Sequence, residues 1–227
     1  MMIDAETYYA ECLQGKTVPE MLAAIDDLKN EMEQLRDKME QPGYRLVPHT
    51  KPDGATRIMC MHEWLQRAIQ AIYEAGAEYI PSAAEEKAAE FEKNIPYIRR
   101  FLFSMEESRP FYRETHIVTL TGSDMKHSVE YFPGPRPPVC LLIPEIDEDE
   151  AMDAEGVQNE IRRLFMGEWR ETYDTERFGY GTLDGIRWEV EIEYSNGHRP
   201  VRFEGSNAYP YNFGRLMGFF GVNMDIY

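Results

Sequence analysis

The chain has 227 residues, enough for one large domain or two small ones around a real core. Its 41 Asp+Glu against 24 Lys+Arg give a net charge of −17, which argues against direct nucleic-acid binding, where Lys and Arg neutralise phosphates. With 12% aromatic and 43% hydrophobic residues the chain is too apolar to be disordered, yet no run approaches the ~20 apolar residues of a membrane span.

The first element predicted is a helix from Thr17 to about Gln41. Thr17 and Glu20 have capping-box spacing, Pro19 is tolerated in the first turn, and Pro42-Gly43 ends the run. Apolar residues fall at Val18, Met21, Ile25, Leu28, Met32, Leu35 and Met39, in steps of 3, 4, 3, 4, 3 and 4. This heptad seam suits a two-stranded coiled coil, with Glu31 and Arg36 at flanking positions, and makes these residues candidates for homodimerisation. The same pattern also fits an amphipathic helix lying on its own domain.

Residues 42–57, with three prolines and two glycines, read as a linker or irregular loop. Met61, Leu65, Ala68, Ile69, Ile72 and Tyr73 then predict a helix with one buried stripe, broken by Pro81. Ser82 and Glu85 form a second capping box, opening a helix through Phe91 and Ile95. Beyond Pro96, with Asn94 as a new cap, the spacing of Ile98, Leu102 and Met105 predicts another helical stretch.

From Phe111 the texture becomes β. His116 to Thr121 and His127 to Phe132 read as a hairpin around Gly122-Ser123-Asp124. Val139 to Ile143 reads as a buried strand, and an acidic stretch leads into a helix carrying Val157, Ile161, Leu164 and Phe165. Ile186, Trp188, Val190, Ile192 and Tyr194 alternate with Arg187, Glu189, Glu191 and Glu193, a strand with one dry and one wet face. An Asn196-Gly197 turn of type I′ would pair Ile192 with Val201, Glu191 with Arg202 and Val190 with Phe203. Pro200 would then face Glu193 without an amide to donate, which requires an edge strand or a bulge. A closing helix places Tyr209, Phe213, Leu216, Met217 and Phe220 on one face. The expected class is α+β: an N-terminal coiled-coil-like helix (1–43), a helical region (44–110) and an antiparallel-sheet α+β module (111–227).

No segment carries a hydrolase or phosphate-binding motif. There is no Gly-x-Ser-x-Gly elbow, and Gly179 to Gly185 is neither a dinucleotide fingerprint nor a Walker loop, so it reads as a connection. Cys12, Cys60 and Cys140 lie far apart and are odd in number, which fits a reducing compartment and a cytoplasmic protein. The cysteines and the five histidines lack zinc-ligand spacing, so neither metal nor cofactor is expected. His116 and His127 meet across the first hairpin and, without a third ligand, read as a solvated cross-strand contact. Glu189, Glu191 and Glu193, with Glu204 opposite, lie on the wet face and read as solvated rather than catalytic. Glu145 to Glu155 contains seven acids and no base, without the ligand order of an EF-hand. It reads as a solvated helix entry or as an anionic patch, with Asp147, Glu148, Asp149, Glu150 and Asp153 as candidate partner-binding residues.

The stretch from Gly167-Glu168-Trp169-Arg170 to Asn207-Ala208-Tyr209-Pro210-Tyr211-Asn212-Phe213 resembles the C-terminal part of a group of proteins from Gram-positive gut bacteria and their mobile elements. The likeness covers roughly residues 155–222 and carries no activity and no catalytic residue. It implies a bacterial or phage setting, in which small acidic proteins bind other proteins. The reading is a non-enzymatic binding protein whose partner is a basic nucleic-acid-handling enzyme, such as a defence nuclease. The alternative is a small enzyme with a Tyr/Glu/Asn site in the C-terminal module.

Overall fold

The structure, a computed structural model, describes residues 3–44, 52–108, 111–133, 152–179, 181 and 185–222. Its chain forms two compact units, Met1–Pro81 and Ser82–Tyr227.

The first unit is helical. Asp4 caps α1 (Ala5–Tyr8), which continues as a π-helical turn over Tyr9–Leu13. Trp64 stacks on Tyr8 at 4.9 Å and donates its indole N–H to the Ile3 carbonyl at 3.0 Å, tying this end down. α2 (Val18–Glu40) opens on the expected capping box: the Glu20 carboxylate accepts from the Thr17 hydroxyl at 2.7 Å and from the Thr17 amide at 2.8 Å, and these two bonds, the hydroxyl's first, hold Glu20 below the usual carboxylate range. α3 (Gly54–Glu74) starts inside the expected loop, because Asp53 accepts from the Thr56 amide at 2.8 Å and caps it.

The heptad seam is buried within one chain. Met21, Ile25, Leu28 and Met32 are 5% exposed or less, while Val18, Leu35 and Met39 are half-buried. Met21 and Ile25 share a core with Leu13, Ala68, Ala71, Ile72 and Tyr79, and Met39 closes over Gly54, where a Cβ would lie 2.4 Å from its sulfur. A period of 3.5 is shared by coiled coils and by short helical hairpins, and here α3 supplies the opposing face.

The second unit is a six-stranded sheet with helices on one face. α4 (Ala83–Asn94) begins at the Ser82–Glu85 capping box, with the Ser82 amide donating to Glu85 at 2.7 Å. A 3₁₀ turn over Ile95–Tyr97 leads not into the expected helix but into β1 (Ile98–Ser108). Phe101, Phe103 and Met105 alternate with Arg100, Leu102 and Ser104, and this period of two prevails over the helical spacing of Ile98, Leu102 and Met105. β2 (Phe111–Thr121) and β3 (Asp124–Phe132) form the expected hairpin, with Gly122 at φ 63 in the two-residue turn. α5 (Ala154–Arg163), β4 (Thr172–Asp174), β5 (Ile186–Tyr194), β6 (Val201–Ser206) and α6 (Phe213–Phe219) follow.

The strand order is β3-β2-β1-β5-β6-β4. All pairings are antiparallel except β4 with β6, so the sheet is mixed where an antiparallel one was expected. The register of β5 and β6 is the expected one, including Glu189 opposite Glu204. The turn differs: only Gly197 takes positive φ, at 82, and pairing stops at Ile192–Val201. Pro200 therefore lies outside the ladder, β5 is an interior strand, and the irregularity sits on β1 between Ile98 and Arg100. The dry face buries Phe101, Phe103, Val190 and Phe203 against Val157 and Ile161 of α5 and Phe213, Leu216 and Phe220 of the C-terminal helix region, each 1% exposed or less. Fully burying each of these side chains contributes about 1.5–3 kcal/mol. The expected strand Val139–Ile143 lies outside the described residues.

Candidate functional site

The period of two that buries one face of the sheet leaves the other to polar side chains, and these are ordered by ion pairs. Arg202 on β6 bridges two residues of β5, Glu191 at 2.8 Å and Glu189 at 3.0 Å, and these carboxylates raise its pKa further. Glu193 is held by Arg99 at 2.9 Å and Arg100 at 3.2 Å. Arg113 on β2 donates to the Ser104 hydroxyl at 3.2 Å and lies 3.8 Å from Glu189. The wet-face glutamates expected to be solvated are thus part of a salt-bridged lattice and only partly exposed.

Towards one end of this face the lattice opens into a groove of about 390 Å³. Its charged lining is four carboxylates, Glu106, Asp174, Glu189 and Glu204, and two guanidinium groups, Arg113 and Arg187. Glu106 faces Arg113 across one strand pairing and Arg187 across the other. Among the described residues Glu106, Asp174, Glu204 and Arg187 make no ion pair within 4 Å. The groove is half-open and its lining mixes polar and apolar surface, unlike the largely apolar and enclosing pockets that hold small organic substrates. It suits the charged end of a long side chain.

Asp147, Glu148, Asp149 and Glu150 lie outside the described residues. Asp153 is the N-cap of α5, accepting from the Gly156 amide at 2.7 Å, so its carboxylate is engaged locally. Of the seven seam residues, Met21, Ile25, Leu28 and Met32 are buried within the first unit, and Val18 packs against its core.

His116 and His127 do meet, but not as a solvated contact. His116 is 1% exposed, and its Nδ1 lies 3.1 Å from His127 Nε2. Its Nε2 lies 2.6 Å from Oε1 of Glu114, itself 3% exposed. β2 carries apolar residues on both faces, Ile117 and Val118 side by side, so its alternation does not say which face is dry; packing of Phe103 and Phe220 on His116 decides it. Among the described residues no group of three His, Cys, Asp or Glu converges as a metal site.

The string Asn207 to Phe213 is structural. Asn207, at φ 53, accepts from the Ile186 amide at 2.9 Å and so fixes the start of β5. The Ala208 carbonyl accepts from the Trp188 indole at 2.8 Å. Asn212 accepts from the Trp169 indole at 3.0 Å and donates to the Leu164 carbonyl. Comparison with known proteins finds no matching family model, no similar curated protein and no similar solved structure.

Proposed function

We propose that this is a non-enzymatic binding protein that uses its open sheet face and its acidic surface to occupy a basic surface on a protein partner. The observation that carries this reading is the groove, where four carboxylates meet two guanidinium groups and three of the four acids have no ion pair among the described residues. Such a site favours a Lys or Arg side chain of a partner over an anion. A chain of net charge −17 is also steered towards basic surfaces over distances of about a Debye length. A nucleic-acid-handling enzyme presents such a surface, and this chain would act there as a nucleic-acid mimic and inhibitor. A phage or mobile-element protein that blocks a defence nuclease is the most specific form of the proposal.

The enzymatic alternative would draw on Tyr, Glu and Asn residues of the same unit. Asn207 and Asn212 are engaged in packing, as is Tyr173, whose hydroxyl accepts from the Arg170 amide at 3.1 Å. No observation favours it. The test is affinity capture from a bacterial lysate at low and high salt, with the wild-type chain and with Glu106→Gln/Asp174→Asn/Glu204→Gln. The reading expects a basic partner retained by wild type at low salt, released at high salt, and weakly held by the triple variant.

A further inference from the structure

Glu114, His116 and His127 form a chain of polar contacts on the dry face, opposite the proposed binding face. A carboxylate accepts, so His116 donates from Nε2 to Glu114, and with both rings neutral its Nδ1 is an acceptor. His127 then donates from Nε2 and keeps its lone pair on Nδ1. The two rings stack at 5.3 Å, and Phe220, which ends α6, covers both, at 5.4 Å from His116 and 6.2 Å from His127. His127 sits on β3, the edge strand, which pairs only with β2 among the described strands.

We propose that the Glu114–His116–His127 relay is an acid-sensitive latch: at neutral pH it holds β3 and the Phe220 cover in place, and it releases them when His127 takes up a proton. Nδ1 is the position that takes it, because Nε2 already carries a hydrogen. The resulting cation lies half-buried beside another imidazole, with the Glu114 carboxylate engaged on the far side of His116. The other titratable groups of the surrounding elements are Tyr112 of β2, Tyr131 of β3, Glu107 of β1, Arg215 of α6 bound to Glu160 of α5, and Asp153 and Glu155 at the exposed start of α5. Burial is the larger cause that holds the His127 pKa below the ordinary 6.5, and of all these groups only His116, when it too carries a proton, adds to the lowering. Folded chains therefore bind this proton less readily than unfolded ones. The relay's contribution is complete above pH 6.5, declines as pH falls from there through the lowered value, and levels off below it. An edge strand with a single neighbour is the element such a loss releases first.

Amide hydrogen exchange on the full chain at pH 7.5 and 5.5, corrected for intrinsic rates, tests the latch. Between the two pH values, exchange in β3 should rise several-fold more than in β1, and His127→Gln, which keeps a donor but takes no proton, should abolish that difference. An equal acid response in wild type and His127→Gln overturns the proposal. If the variant does not fold, imidazole ¹⁵N spectra of wild type decide: a neutral His127 protonated on Nε2 and titrating below pH 6.5 supports the latch, and titration at or above 6.5 overturns it.

Discussion

Asn212 shows how single side chains hold the second unit together. Its amide joins the Trp169 indole to the Leu164 carbonyl, and Asn212 itself is 6% exposed. Replacing it with Leu keeps the volume but leaves a buried donor and a buried acceptor without partners. Each such orphan costs about 1–3 kcal/mol, so Asn212→Leu should lower stability by about 2–6 kcal/mol in urea unfolding with an unchanged m-value. A glycine makes the same point by its lack of a side chain: a Cβ on Gly205 would lie 2.4 Å from the Trp188 indole nitrogen, which has no room to retreat. The sequence marks Asn207 to Phe213 as distinctive, but its role is hidden there because Ile186, Trp188, Trp169 and Leu164 lie 20 to 48 positions away. The latch is hidden for a related reason. Glu114 and His116 occupy core positions of a strand whose pattern leaves its dry face undecided, and polar residues at such positions are read as solvent-facing.

At the scale of elements, local signals with a local cause survive into the structure. Both capping boxes are present, and the β5–β6 register is the one counted from the Asn196-Gly197 turn. Signals that depend on a distant partner do not. β1 carries both a helical and a strand spacing, and its pairing with β2 and β5 selects the second. Because β1 lies between those two strands, a fragment from Phe111 lacks an interior strand of its sheet, whereas Ser82–Tyr227 contains all six. The longer fragment should give dispersed amide resonances and a cooperative thermal transition; the shorter should give neither. The heptad seam is the second case. With Ile25 1% and Leu28 5% exposed inside one chain, Ile25→Lys/Leu28→Lys buries two charges without partners. Circular dichroism should show loss of the first unit's helical transition. A folded monomer that forms from a wild-type dimer would instead restore the coiled coil.

At the scale of the whole molecule, charge is the dominant fact. A net charge of −17 opposes self-association and favours encounter with basic surfaces. The sheet sorts this charge: its dry face excludes it except for the relay, and its open face arranges it in ion pairs until the groove, where acids outnumber bases. The class of fold is legible from alternation and helical spacing, but the groove is not, because Glu106, Asp174 and Glu204 come together only through the pairings of β1, β4, β5 and β6. The central claim is that these acids take the place of a nucleic acid on a basic partner. Competition on the captured partner tests it most directly, by measuring how much fluorescent duplex DNA the wild-type chain and the Glu106→Gln/Asp174→Asn/Glu204→Gln variant displace at low and physiological salt. The account predicts displacement by wild type that weakens with salt and a variant at least ~10-fold less effective, the scale set by losing about 1.4 kcal/mol of binding. Displacement that is equal for the two proteins, or a partner that holds DNA and this chain together, would contradict it.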